Sequence, residues 1–394
     1  MFSRTLRRLS SAVNSEFKCL IVGSGPSSHY LLKSLLLSPL GSSSSSIFDV
    51  IDKSCCPGGL IRYGVAPDHQ DVKNLQSDID AFLGPKESTK AAVRYLGNVE
   101  VGGVGEDGCV SLPEIKAMYD AVVLATGCQH YNEISVPTCG PEGLSSEPNG
   151  LIYAKQLVDY YNGLPGIENP LAFLVPPSSS GSGGDSSNSL DVSSKDDTFN
   201  VTIVGGGNVA VDIARVIIMS AAQRDQLCQS DITTDAYESL GSIFEGKRVN
   251  VRIVSRRGLH QSSFTIKEIR ALTKICKAGG LSASVWAEEM EKSITDAGLE
   301  EVKDRRLKRL TDFVASLQSP PAGDDDYGLS LRYLLRPEAI RLNDQGNVES
   351  VKFRRQTLVG EKGQQKGVDT DATLEMVRTL SIRGGVSIVF IAIL

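Results

Sequence analysis

Two glycine turns carry the residues of this chain best suited to chemistry. The first is Gly23-Ser24-Gly25-Pro26-Ser27-Ser28. It follows the apolar run Phe17–Val22, opens a leucine-rich helical pattern, and is answered by a second apolar run that Asp52 closes. Strand, glycine turn, helix, strand and acid is the order of a dinucleotide-binding unit. Gly23 permits the tight turn and Gly25 lets backbone approach a pyrophosphate. The helix start offers unpaired N–H groups and partial positive charge, and Asp52 is placed to accept from a ribose. Ser28 stands where a third glycine is usual, and its extra volume is expected to cost about 1–3 kcal/mol unless the helix shifts. The acid comes late because the serine run 42–46 reads as a loop.

The second turn repeats the plan. Asn200–Val204 leads to Gly205-Gly206-Gly207-Asn208-Val209-Ala210, with Ala210 where glycine or alanine is accepted, and then to the helical run from Val211. Its next strand, Val251–Val254, ends in Ser255-Arg256-Arg257-Gly258 with no acid. An acid there would hold a ribose 2′-hydroxyl, whereas two arginines favour a 2′-phosphate. Each charge-assisted hydrogen bond contributes about 1.5–3 kcal/mol. The acid-tipped unit therefore suits FAD and the arginine-tipped unit NADPH. The fold class expected is α/β, with two Rossmann-like dinucleotide-binding domains and the NADP domain inserted into the FAD domain.

The elements between these turns give the boundaries. Residues 1–15 carry Arg4, Arg7 and Arg8 among Ser, Thr, Leu and Phe with no acid before Glu16, as in a mitochondrial transit peptide. The first part of the FAD domain is assigned to 16–135. The NADP domain is assigned to 150–330 with a disordered Ser/Gly/Asp-rich insertion at 178–197, and an incomplete return to the FAD domain to 331–394. The segment Pro57–His69 is read as a shaped loop, neither helix nor strand. Helical spacing marks 71–83 and 153–161, Val99–Val101 a short strand, and Ala121–Gly127 a buried-strand run ending in a glycine turn.

Composition excludes several classes. The chain has 394 residues and a net charge of −6, which argues against a general nucleic-acid binder. Its eight cysteines form no CxxC, so the signature of a thioredoxin-type disulfide or a zinc or iron–sulfur site is missing and no metal is assigned. Adjacent Cys55 and Cys56 read as reduced thiols. No run of about 18 apolar residues marks a transmembrane span.

A resemblance now enters on particular residues. Gly23-Ser24-Gly25-Pro26, the stretch 59–69 with Val72-Lys73-Asn74, Gly97-Asn98-Val99, Tyr160-Tyr161-Asn162-Gly163, Gly207-Asn208-Val209-Ala210, and Arg256-Arg257-Gly258 with Phe264–Glu268 resemble the mitochondrial adrenodoxin reductase family. The likeness spans about 17–375, and Tyr63–His69 is its most specific part. It implies FAD contacts at Ser27, Asp52, Leu60 and Val101 beside the Gly23 and Gly25 turn. It implies NADPH contacts at Gly206, Gly207, Asn208 and Val209, the 2′-phosphate on Arg256 and Arg257, and Glu268 on the nicotinamide side. Ser27 replaces the family's alanine, Gly58 a bulkier residue, and Leu259-His260 a proline-led pair. The family's later Gly-Trp segment over the flavin is not found; the only tryptophan is Trp286. The chain reads as truncated at the C-terminus, with 387–393 as the returning strand or a replaced tail.

The resemblance implies electron passage from NADPH through FAD to an acidic [2Fe–2S] ferredoxin of the adrenodoxin type. It implies a mitochondrial location, in the matrix or on the matrix face of the inner membrane. His69 and Asp212 are candidates for relaying a proton or fixing geometry. The competing readings are a hydrogen-bonded loop histidine and a first-turn or salt-bridged acid. Lys303, Arg305, Arg306, Lys308 and Arg309 form a basic helical stretch, either a steering surface for the ferredoxin or a solvated face. Two other functions stay open. The flavin loop 57–64 also resembles the glutamate synthase small-subunit type, which usually carries an N-terminal cysteine cluster, and the chain could be a nucleotide-binding protein without turnover.

Overall fold

The computed structural model describes residues 17–83, 90–105, 108–128, 136–140, 148–174, 198–295, 304–317, 328–361, 365–377 and 386–391. The expected transit segment, the insertion 178–197 and Lys303 lie outside the described residues. The chain forms two compact units, Met1–His130 and Tyr131–Leu394.

The first unit is a four-stranded parallel sheet in the order β3-β2-β1-β6. Strand β1 (Phe17–Val22) is apolar along its length because it lies between β2 (Ser46–Asp52) and β6 (Ala121–Leu124). Its alternate residues feed opposite faces. Cys19 and Ile21 join Leu32, Phe48 and Val50, while Leu20 and Val22 join Ile51 and Ile115. Helix α1 (Pro26–Leu36) covers one face with Leu32, and Pro26 pre-sets its first turn.

Beyond β2 the chain makes one helical turn, α2 (Leu60–Tyr63), then α3 (Gln70–Lys73) and α4 (Leu75–Leu83). The loop expected over 57–69 thus contains a turn of helix. Backbone N–H groups of Gly64 and Val65 both donate to the Leu60 carbonyl, a closure that glycine and proline spacing conceals. Strand β3 (Ala92–Gly97) ends the sheet on one side. The short parallel pair β4 (Glu100–Gly102) and β5 (Cys109–Ser111) then leads through α5 (Leu112–Met118) to β6. Helix α5 starts on a Ser111–Glu114 capping box. β6 was expected to be buried, but its residues are half-buried and Leu124 is exposed, because β6 is an edge strand. Across the sheet, buried Asp49 accepts two hydrogen bonds from Arg94 at 2.6 Å and one from the Tyr119 hydroxyl at 2.7 Å. Burial first, and that bond second, push the Tyr119 phenol up to about 12.

The second unit holds a six-stranded parallel sheet and a smaller mixed one. In the larger, β8 (Leu151–Tyr153), β9 (Thr198–Val204), β10 (Arg248–Val254), β11 (Ser282–Val285), β12 (Gly328–Arg332) and β16 (Val386–Ile391) stand in the order β11-β12-β10-β9-β16-β8. Helix α6 (Ala154–Tyr161) follows β8. Helix α7 (Asn208–Ala222), which follows β9, is buried almost all round. Its apolar residues meet the sheet on one side and the pair α9 (Thr234–Phe244) and α10 (Ile266–Ala278) on the other, with the short α8 (Arg224–Cys228) at its end. Removing one methylene there, as in Ile217→Val, would cost about 0.5–1.5 kcal/mol. Two further helices, α11 (Ala287–Thr295) and α12 (Arg305–Ala315), precede β12.

Residues 331–394, read from the sequence as an incomplete return to the FAD domain, contribute their described strands to sheets of the second unit. Strands β13 (Leu335–Leu342), β14 (Val348–Val359) and β15 (Lys366–Val377) form an antiparallel meander, to which β7 (Thr138–Cys139) adds a parallel edge. β16 then pairs with β9 and β8. Every described strand after 331 pairs inside the second unit. The physical reason is that neighbouring hairpins close locally, while the apolar run VSIVFI suits a strand flanked on both sides. In both units the strand after the glycine-turn helix lies beside the strand before it, β2 beside β1 and β10 beside β9, with β6 or β16 on the other flank; in the second unit β12 stands between β10 and β11.

Gly23 tests the turn that anchors the first unit. Its φ is +102°, and a Cβ there would fall 2.3 Å from the Ala125 carbonyl oxygen. Gly25 has φ −76° and a Cβ would meet no atom within 4 Å. Denaturant unfolding of Gly23→Ala should show a loss of about 2 kcal/mol or more, while Gly25→Ala stays within about 0.5 kcal/mol of the parent. Equal losses would contradict this account of the turn.

Candidate functional site

Each unit leaves a helix start open above the carboxyl edge of its sheet. In the first, Gly25 is the N-cap of α1 and offers no side-chain cap, and the first turn carries no acid. Four other helices are closed differently: Ser111, Thr233, Thr265 and Asp304 each accept from a backbone N–H of their own first turn. An uncapped start with open space over Gly25 fits an anion such as a pyrophosphate.

Asp52 lies at the end of β2, beside this turn. One carboxylate oxygen accepts from the Ser24 N–H and hydroxyl, both at 2.7 Å, and the other from the Ser54 N–H at 2.8 Å. A carboxylate has about four acceptor sites, so capacity remains for a ribose hydroxyl. The Ser54 carbonyl in turn accepts from the Tyr95 hydroxyl at 2.8 Å. Burial, and then Asp52, push the Tyr95 phenol up to about 12. Ser28 departs from the expected overpacking. Its side chain is buried and its hydroxyl donates to the Gly23 carbonyl. The hydroxymethyl thus bridges turn and helix rather than forcing them apart.

Among the other first-unit candidates, Ser27 is exposed on the first turn of α1. Leu60 opens α2 and is 65% exposed, unusual for leucine in a helical turn. Val101 is half-buried in β4, and His69 is half-buried at the start of α3, where its carbonyl accepts from Val72 and Lys73.

The second turn is built alike. Gly207 is the N-cap of α7 without a side-chain cap, and the first turn again carries no acid. A Cβ on Gly206 would fall 2.5 Å from the Ser255 hydroxyl, which would have to turn aside for the turn to keep its place against the tip of β10. The Gly206 carbonyl accepts from the Ser263 N–H at 2.9 Å. The Asn208 side chain accepts from the Thr265 N–H at 3.2 Å, tying the start of α7 to that of α10. Val209 is half-buried and Asn208 exposed. Arg256 and Arg257 are both exposed beyond β10. Their loop is fastened at either side: Ser255 donates to Arg332 at 2.9 Å, and Leu334 donates to the Arg257 carbonyl at 3.4 Å.

Asp212 and Glu268 come together through a residue that sequence reading missed. Arg215, 1% exposed, reaches Asp212 at 2.7 Å and Glu268 at 2.9 Å. The available signal was a lone arginine three residues after an acid in an otherwise apolar helix, the spacing at which side chains meet. The salt-bridged alternative for Asp212 describes its setting. His69 belongs to the first unit and Asp212 to the second. A second missed group is Trp286, over which the Arg332 guanidinium stacks at 4.0 Å.

Two parallel sheets, each opened by a strand, a glycine turn and an uncapped helix, define a protein with two dinucleotide-binding-type α/β units. No family model matches the chain. It is 31% identical over 362 residues to the probable mitochondrial NADPH:adrenodoxin oxidoreductase of Schizosaccharomyces pombe, covering 90% of this chain and 66% of that protein. It is 36% identical over 255 residues to the NADPH:adrenodoxin oxidoreductase of Drosophila melanogaster, covering 65% of this chain and 44% of that protein. Among solved structures, Mycobacterium tuberculosis FprA in complex with NADPH superposes with a TM-score of 0.69 at 25% identity, over 95% of this chain and 70% of FprA. The chain belongs to the NADPH:adrenodoxin oxidoreductase family. It spans between about half and two thirds of the length of these curated relatives.

Arg215 is the structural hinge of this site. Replacing it with methionine leaves two neighbouring carboxylates without their cation, a change that costs about 3–5 kcal/mol in comparable buried pairs. Arg215→Met should unfold at markedly lower denaturant, and adding Asp212→Asn and Glu268→Gln should recover much of the loss. An unchanged midpoint for the single variant would show that the triad does not stabilise the fold.

Proposed function

We propose that the chain is an NADPH-dependent flavoprotein oxidoreductase that holds FAD on its first unit and NADPH on its second. It would pass electrons on to a [2Fe–2S] ferredoxin of the adrenodoxin type. The observation that carries this reading is the asymmetry of the two cradles: Asp52 tips the first and Arg256-Arg257 the second. The names of the relatives support it, since they are adrenodoxin oxidoreductases and, in Mycobacterium tuberculosis, an NADPH-ferredoxin reductase. Bound FAD would supply two-electron hydride acceptance and one-electron release.

The chain's own residues bind and orient. The backbone at Gly23 and Gly25, the start of α1 and Ser27 hold the flavin pyrophosphate, and Asp52 accepts from its ribose. Leu60 and Val101 give apolar contact to the flavin nucleotide. Gly206, Gly207, Asn208 and Val209 hold the pyrophosphate of NADPH. Arg256 and Arg257 meet its 2′-phosphate with charge-assisted hydrogen bonds. Glu268 bounds the nicotinamide side, and Arg215 fixes that carboxylate together with Asp212. Asp212 therefore orients rather than relays, and His69 shapes the loop after α2. No side-chain nucleophile is needed, because positioning does the work.

Arg305, Arg306, Lys308 and Arg309 are exposed on α12, whose start Asp304 caps. They form the docking face for the acidic ferredoxin, steering its approach. Among the described residues no helix is long and apolar enough to cross a membrane. The mitochondrial relatives support a mitochondrial location, and an acidic ferredoxin partner fits the matrix side.

Two experiments test this reading. Steady-state kinetics of Arg256→Ala and Arg257→Ala should show the NADPH-over-NADH preference falling about tenfold or more in each, through loss of one charge-assisted contact. A ratio unchanged in both would remove the 2′-phosphate assignment. Reversing Arg306 and Arg309 to Glu should raise the ferredoxin KM several-fold at low salt and flatten its salt dependence. An unaltered KM would place docking elsewhere.

A further inference from the structure

We infer that Trp286, backed by Arg332, forms a stacking platform for the adenine ring of the nucleotide bound to the second unit. The inference rests on the reading of that unit as an NADP site and adds a specific subsite to it.

The strand order lays out the ligand. In a parallel sheet all carboxyl ends share one edge, the edge at which such folds bind nucleotides. Register places Val204 beside Val254, Val254 beside Arg332, and Val285 beside Leu331. Along the edge therefore come the glycine turn after β9, the arginine pair after β10, Arg332 at the tip of β12, and Trp286 after β11. Pyrophosphate on the first and 2′-phosphate on the second leave the purine to extend outward over the third and fourth. Two strand spacings, about 10 Å, separate β10 from β11, a reach suited to an adenosine held by its ribose.

The indole is built to receive a ring. The Trp286 backbone N–H donates to the Leu331 carbonyl at 3.3 Å, and the Trp286 carbonyl accepts from the Met290 N–H at 3.0 Å, so the residue's main chain is pinned between β11 and α11. The Arg332 guanidinium stacks over it at 4.0 Å. Arg332 is itself buried and held by Glu289 through two bonds of 2.6 and 2.9 Å. Glu289 also accepts from the Tyr333 N–H at 3.0 Å, and Arg355 approaches it at 3.5 Å. A ring fixed in this way loses little freedom on binding. Yet 39% of Trp286 stays exposed, and an exposed indole beside a nucleotide edge offers a π-face to any base.

Because Trp286 is the chain's only tryptophan, its emission reports the site directly. Purified full chain is titrated with adenosine 2′,5′-bisphosphate and followed by tryptophan emission and by calorimetry in parallel. The expected result is saturable quenching with the calorimetric Kd. In Trp286→Ala that Kd weakens about tenfold, and in Trp286→Phe by less than about threefold. Inorganic pyrophosphate, which has no base, binds parent and Trp286→Ala alike. If the bisphosphate binds by calorimetry with emission and the Kd of Trp286→Ala unchanged, the platform is overturned while the NADP reading survives. If the bisphosphate fails to bind the parent at all, both fall. Trp286→Phe keeps the test open should the alanine variant fold poorly.

Discussion

The constraint on which both units depend is a helix that begins with nothing but backbone. At Gly25 and Gly207 the helix starts without a side-chain cap and without an acid in its own first turn. Such starts favour negative charge. Four other helices, which start after Ser111, Thr233, Thr265 and Asp304, are closed by the side chain of that residue. In the proposed reading, the stability forgone at two helix ends is what makes room for bound phosphate. Everything around those ends keeps them open and in place. Gly23 bends under the Ala125 carbonyl, Ser28 hydrogen-bonds back to Gly23, and Gly206 lies against Ser255.

Much of this was legible in the residues. A strand, a glycine pair, an apolar helix and a closing acid or arginine pair are local patterns, and they fixed both cradles and the α/β class. What stayed hidden depended on non-local pairing. Nothing in VSIVFI states which sheet it joins; the answer comes from β8 and β9, both far upstream in sequence. β6 read as buried because its composition is apolar, while its edge position leaves Leu124 uncovered. The turn of helix at Leu60 hid behind glycine and proline, which usually mark loops. Arg215 hid because a single charge in an apolar run has no visible partner until α10 packs against α7 and brings Glu268 within 2.9 Å.

Under the proposed function, the two cradles are one architecture tuned for different ligands. Both put the carboxyl end of the second strand beside the turn. In the first unit that end is an aspartate already holding Ser24 and Ser54, a compact acceptor. In the second it is a serine followed by two exposed arginines, fastened to the tip of β12 and to Leu334. The acceptor and the donors occupy equivalent places, so selectivity lies in a few side chains rather than in the fold.

The place of β16 has a consequence for synthesis on the ribosome. It lies between β9 and β8, and Val389 pairs with Leu151 as well as Thr202. The four described strands of the first unit's sheet have all emerged by residue 124, whereas the second must wait for 386–391 before β8 can join its neighbours. Vectorial folding would then finish the flavin-type half early and hold the other half as an unfinished sheet with an open flank. That flank is the stretch of the nascent chain most exposed to mispairing, and the one a chaperone would be expected to shield.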